Sequence, residues 1–292
     1  MTTKEPLCYN LFMRLGVQVS IAGKIYKAVE RAQELHCNTM QIFTHSPREY
    51  RSGSLSPADI KEFKKLRQKV DINPVVIHMP YIVNLASPHK KLYEKSIELY
   101  IEEIKQAGLL GAEYLVTHMG SHRGKGEAKG LRRFWEGMDI ILKSTQMTKV
   151  SILLENTSGS GFSVGHTFEH VGRVVEGVKG HKRLGLCLDT CHAFAAGYNI
   201  ATLDGLNKTL HEIDTWIGLN RLKVIHLNDI KDHLGSQRDR HEQIGKGKIG
   251  LEGFRAIVNH HRLRRLPFIL ETPKHSEDDD KINLEIIRRI RE

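Results

Sequence analysis

The 292-residue sequence predicts one α/β domain, an eight-stranded (β/α)8 barrel, on three observations. Eight short apolar runs rich in β-branched residues recur along the chain, amphipathic stretches separate them, and ionisable residues gather where the runs end. In order the runs are LGVQVSI from Leu15, NTMQIF around Met40, PVVIHM around Val76, EYLVTHM around Val116, VSILLEN around Leu153, LGLCLD around Leu186, LKVIHLND around Ile225 and PFILET around Ile269. Their spacing is too long for hairpins, so neighbouring strands are expected to lie parallel.

The intervening stretches KIYKAVERAQELH, PADIKEFKKLRQKV, KKLYEKSIELYIEEIKQAGLLG and DGLNKTLHEIDTWIGL place apolar residues at helical period. An open doubly wound sheet would alternate in the same way, but eight repeats favour closure. No linker, low-complexity tract or short-period repeat divides the chain. Residues 14–292 therefore read as one domain behind an extension of residues 1–13, with long polar loops near Gly124, Gly159 and Ser236 on the carboxyl face of the strands.

No apolar stretch approaches the roughly 18 residues that a membrane helix needs, and the first residues lack the long apolar core of a secretory signal. Cys8, Cys37, Cys187 and Cys191 are too sparse for a disulfide framework, so reduced thiols and an intracellular, cytoplasmic location are expected. With 44 Lys+Arg against 34 Asp+Glu the formal charge is +10, which favours a polyanionic partner without identifying one.

The ends of the runs carry the chemistry. They hold His78, His118, Glu155, Asp189 with His192, His226 and Glu271, and the long loop before the last run adds Asp239 and His241. Four carboxylates on one rim would repel and take up protons unless cations intervene. Five imidazoles beside them make a nitrogen and oxygen set suited to zinc, with manganese or iron exchange, whereas calcium and magnesium prefer oxygen. For any one of these histidines a hydrogen-bonded structural role is the commoner case; nine such residues on one rim weaken that account. His36, His170, His181, His211, His260 and His261 lie in or beside outer helices and are expected to face solvent. His122 is expected to support the site, and thiolates of Cys187 and Cys191 are not needed to complete it.

LCLDTCHAFAAGY (186–198), IHLNDIKDHLGSQRDRH (225–241), ENTSGSG (155–161) and FILET (268–272) resemble the endonuclease IV family of abasic-site endonucleases over nearly the whole chain. The resemblance implies a TIM barrel holding three zinc ions: the first on His78, His118 and Glu155, a second on Glu155, Asp189, His226 and Glu271, and a third on His192, Asp239 and His241. It further implies hydrolysis of the phosphodiester 5′ to an abasic site in duplex DNA, leaving 3′-hydroxyl and 5′-deoxyribose phosphate ends, with Glu155 and Glu271 catalytic. Arg48 and Tyr81 would enter the duplex, and cations near Arg123, Arg238 and Lys246 would meet phosphates. A monomer is expected. Met119, Met79, Pro80 and Lys246 depart from the family pattern and bear on loop shape and on preference among damaged substrates. The competing reading is a metal-dependent sugar isomerase or epimerase on the same barrel.

Overall fold

A computed structural model of the chain describes residues 13–46 and 55–292. In chain order it contains β1 (Leu15–Val17), α1 (Lys27–Glu34), β2 (Met40–Ile42), α2 (Pro57–Lys69), β3 (Val75–His78), α3 (Lys90–Leu110), β4 (Tyr114–His118), α4 (Glu127–Ser144), β5 (Ser151–Glu155), α5 (Phe168–Gly177), β6 (Leu184–Asp189), α6 (Thr190–Ala196) and α7 (Leu203–Trp216). Then follow β7 (Leu222–His226), β8 (Asp229–Ile230), β9 (His241–Glu242), α8 (Gly250–Asn259), β10 (Phe268–Leu270) and α9 (Asp279–Ile290).

Eight strands pair in parallel in the order β1-β10-β7-β6-β5-β4-β3-β2. The two ends meet where Gln18 bridges Gln41 and the Val19 amide donates to the Gln41 carbonyl at 2.8 Å, so the sheet curls into a barrel. Each of the eight apolar runs supplies one of these strands. The long loop near Ser236 also contains an antiparallel ribbon, β8 with β9, that the sequence did not announce. Two-residue strands carry too little alternation to be read as a period.

Local chemistry sets the helix ends. Ser56 caps α2 by accepting from the Asp59 amide at 3.1 Å, with Pro57 at the first helical position, while Thr167 and Thr202 cap α5 and α7 in the same way. Among the described residues no helix is long and apolar enough to cross a membrane.

Strand alternation divides the core in two. Val76, Val116, Leu153, Cys187, Val224 and Ile269 form a buried plug, whereas Ile77, Leu115, Leu154, Leu188, Ile225 and Leu270 belong to the larger cluster packed with the helices. Two residues beyond each plug member, toward the carboxyl end, stands His78, His118, Glu155, Asp189, His226 or Glu271. The period of two therefore aims these six side chains into the barrel mouth, on a floor of apolar side chains.

The outer histidines divide. His36, His211 and His261 are exposed as expected, but His170 and His260 are buried and His181 is half-buried. His260 accepts from the Arg262 amide at 3.2 Å and its Nε2 lies 3.1 Å from Asn207 Oδ1; His170 accepts from the Gly165 amide at 3.3 Å. Both stand at helix ends, where the adjoining loop folds over the ring. Met13, placed in the N-terminal extension, is buried against the core, and residues 1–12 lie outside the described residues.

Candidate metal centre

The nine nominated residues fall into three sets whose donor atoms each lie within 4.8 Å of one another: His78, His118 and Glu155; Glu155, Asp189, His226 and Glu271; and His192, Asp239 and His241. Glu155 belongs to two of them. It stands at the carboxyl end of β5, fully buried, with Oε2 3.0 Å from His118 Nε2 and 3.3 Å from His78 Nε2. Its Oε1 lies 3.0 Å from His226 Nδ1 and 3.4 Å from His192 Nδ1. Asp239 joins the third set through Oδ2 to His192 Nε2 at 3.1 Å and Oδ1 to His241 Nε2 at 3.2 Å.

Carbonyl acceptors fix four imidazole tautomers. A carbonyl oxygen can only accept, so the nitrogen facing it must carry the proton. Nδ1 of His78, His192 and His241 donates to the backbone carbonyls of Met79, Asn156 and Glu271 at 2.7, 2.9 and 2.9 Å. Nε2 of His226 donates to Gln41 Oε1 at 2.9 Å. In each ring the other nitrogen then turns its lone pair toward a carboxylate oxygen.

A lone pair aimed at an anion about 3 Å away is repulsive unless a proton or a cation stands between them. Two ligands each about 2.0–2.1 Å from a tetrahedral zinc lie roughly 3.3 Å apart, which is the spacing seen here. The donor set and its orientation therefore fit divalent metal in all three places.

Burial opposes charge on these groups, yet pairing outweighs it at most of them. His192, His226 and His241 are held well above the ordinary imidazole range: Asp189 acts on the first, Cys187, Glu271 and Glu155 on the second, and a hydrogen bond to Asp239 on the third. His118 is raised, with Glu155 overcoming burial. Glu155 is held well below the carboxylate range by His118 and His226, and Glu271 is lowered to about 2, chiefly by His226. Burial dominates at Asp189 and raises it.

Four polar residues that the strand-end reading passed over organise this shell. Gln41, fully buried on β2, accepts from His226 and donates from Nε2 to Glu271 Oε1 at 2.5 Å, joining two donors across the barrel. Asn228 donates to Asp189 Oδ2 at 2.6 Å and accepts from the Glu271 amide at 2.8 Å. Asn156 exchanges hydrogen bonds with the Asp189 backbone at 2.8 and 3.0 Å. Asp229 accepts from the amides of Ile230, Gly245, Gly247 and Ile249 at 2.9–3.0 Å, and a Cβ on Gly247 would stand 2.4 Å from its Oδ1. Asp229 thereby shapes the loop that carries the exposed Lys246. Gln41→Leu keeps the volume and removes both hydrogen bonds; metal affinity, measured by competition with a chelator, is expected to fall about 10- to 100-fold.

Tyr81 stands on the loop after β3, 60% exposed, with its ring 5.5 Å from His78, 5.6 Å from Phe43 and 6.0 Å from His118 between centroids. Arg48 lies outside the described residues. His122 caps its own loop by accepting from the Gly126 amide at 3.0 Å and packs on Phe162. Met79, Pro80 and Met119 are buried beneath the rim. Cys191 lies close enough to Asp189 and His241 to share an ion, but burial pushes its thiol up, which disfavours the thiolate.

A closed parallel barrel with multiple metal-donor sets at its carboxyl mouth defines a class, and the profile described as xylose isomerase-like TIM barrel matches residues 29–292. A probable endonuclease 4 of Methanoculleus marisnigri is 45% identical over 276 residues, 94% of this chain and 98% of that protein. Endonuclease IV from Thermus thermophilus superposes with a TM-score of 0.84 at 39% identity, covering 95% of this chain and 98% of that one. The chain belongs to the endonuclease IV family. A D-tagatose 3-epimerase-like protein shares the fold, with a TM-score of 0.74 at 21% identity over 95% of this chain and 97% of that one.

Proposed function

We propose that the chain is a DNA-repair endonuclease that hydrolyses the phosphodiester 5′ to an abasic site in duplex DNA with three zinc ions, leaving 3′-hydroxyl and 5′-deoxyribose phosphate ends. The observation that carries this reading is the set of three abutting donor groups, two of which share Glu155. His78, His118 and Glu155 would hold one ion, Glu155, Asp189, His226 and Glu271 a second, and His192, Asp239 and His241 the third; manganese or iron can exchange for zinc in such a donor set. All nine donors come from one chain, so a monomer suffices. An epimerase would not call for the third set.

The chemistry that zinc supplies when bound is charge, which lowers the pKa of water toward neutrality and offsets negative charge growing on the phosphoryl oxygens. Glu271, held by Gln41 and His226 at the mouth, accepts a hydrogen bond from the attacking water and fixes its approach. Asp239, 44% exposed, opens the third set toward solvent, and a cation held there would offset charge on the departing 3′-oxygen. Asn156, Asn228 and Gln41 hold the donors still, so little reorganisation is left for the reaction itself.

Selection of the lesion follows from its missing base. A nucleotide without stacking or pairing costs less to extrude than an intact one. Tyr81 sits exposed at the mouth beside His78 and His118, which suits it to fill the space left in the duplex, and Arg48 is assigned the same role. Tyr81→Ala is expected to raise KM for an abasic duplex about 10- to 100-fold, with a smaller change in kcat and unchanged metal content, since base stacking on an aromatic is worth about 1–3 kcal/mol.

The whole reading is tested with a duplex carrying one abasic analogue and metal analysis of the same preparation. Incision on the 5′ side, with the undamaged duplex intact and zinc bound, is the expected result. An intact abasic duplex with fully metallated protein would overturn it.

A further inference from the structure

A cationic groove of about 340 Å³ begins at the barrel rim and runs onto the outer face of α4, using none of the metal donors. Lys125, at the end of the loop after β4, and Lys129, Arg132 and Arg133, in the first turns of α4, line it with His122, Pro88 and one acid, Glu136. The spacing of Lys129, Arg132 and Arg133 puts them on one helical face.

Two features separate this groove from an ordinary solvated helix face. The first is that its floor is fixed: Arg133 Nε donates to the Ser87 carbonyl at 2.6 Å while its guanidinium lies 4.1 Å over the Tyr93 ring. The second is that its charge is only partly compensated, Glu136 being the one acid in the lining against Lys125, Lys129, Arg132 and Arg133. Glu127, the acid in the first turn of α4, faces the other way, with Oε1 3.3 Å from His170 Nε2 and 3.7 Å from His166 Nε2. Lys125 and Lys129 make no ion pair among the described residues, and Arg132 reaches Glu136 only at 3.9 Å on the surface, a contact worth little. Like charges at this spacing destabilise a helix, and the amino end of α4 adds its own positive potential. An anion spanning these groups relieves both.

We propose that this groove is a backbone subsite for duplex DNA, gripping phosphates of the arm that leaves the barrel mouth past the loops after β3 and β4. The inference rests on the endonuclease reading above and deepens it: the enzyme holds flanking duplex on one flank through phosphate, without reading sequence there.

The test compares Lys125→Gln/Lys129→Gln/Arg132→Gln with a control that removes the same charge at the opposite end of the barrel, Lys149→Gln/Lys179→Gln/Lys182→Gln. Binding to an undamaged duplex is measured across a salt series, and incision of an abasic duplex by the unaltered chain is measured alongside. The groove variant is expected to flatten the plot of log affinity against log salt by about 2–3, near 0.9 for each phosphate that is no longer neutralised, while the control leaves the slope in place. Equal slopes for the two variants overturn the subsite, as they would if the groove served an acidic protein instead. If the unaltered chain fails to incise the abasic duplex, the endonuclease reading falls, and a slope change confined to the groove variant still identifies the nucleic-acid surface. A thermal midpoint of the groove variant at or above that of the control separates the result from misfolding, since removing like charges from α4 relieves repulsion.

Discussion

Glu155→Gln is expected to lower the rate of abasic-duplex incision roughly a thousandfold or more, about 4 kcal/mol or more of lost transition-state stabilisation. The substitution keeps the shape of the side chain and removes one charge. That charge faces four imidazoles, those of His78, His118, His192 and His226, at 3.0–3.4 Å, and it lies in two of the three donor sets. A neutral amide offers one weak oxygen ligand and turns its NH2 toward a position that must be an acceptor, so both sets weaken together. Metal content per chain should drop alongside activity, whereas Tyr81→Ala should leave metal content in place. Equal incision by Glu155→Gln and the unaltered chain would remove the shared carboxylate from the mechanism.

The barrel could be read from the sequence because its strands advertise themselves twice. Each of six strands carries a plug residue and, two places on, a donor: Val76 and His78, Val116 and His118, Leu153 and Glu155, Cys187 and Asp189, Val224 and His226, Ile269 and Glu271. An ionisable residue in phase with buried apolar ones is the mark of a side chain facing a closed mouth. Gln41 obeys the same phase on β2, but an uncharged amide does not stand out among strand residues, and its role appears only when β2 is seen to bring it within reach of both His226 and Glu271. Asp229 was hidden for a different reason. Its partners are four backbone amides, and amides leave no trace in a sequence. The burial of His170 and His260 was equally invisible, since it depends on how a loop folds over a helix end and not on the period of the helix.

Stripping the metals should reverse the pH dependence of stability. In the metal-free chain His192, His226 and His241 have pKa values well above the ordinary range, so as protonated partners of the carboxylates they contribute stability that is complete below about pH 6.5 and is lost as pH rises through the raised values. Glu155 and Glu271 are lowered, the latter to about 2, so their contribution is complete above about pH 4.5 and is lost as pH falls through the lowered values. The stripped protein is therefore most stable between the carboxylate and imidazole ranges. Metal binding needs the imidazole lone pairs and expels those protons, so affinity rises with pH by about 1.4 kcal/mol per pH unit for each proton released. Thermal unfolding with and without chelator should show a gap that widens steadily from pH 6 to pH 8, and rebinding of zinc should acidify a weakly buffered solution. A gap that stays constant over this range would mean that the imidazoles are already free of protons, and that the carboxylates do not hold them in the stripped cup.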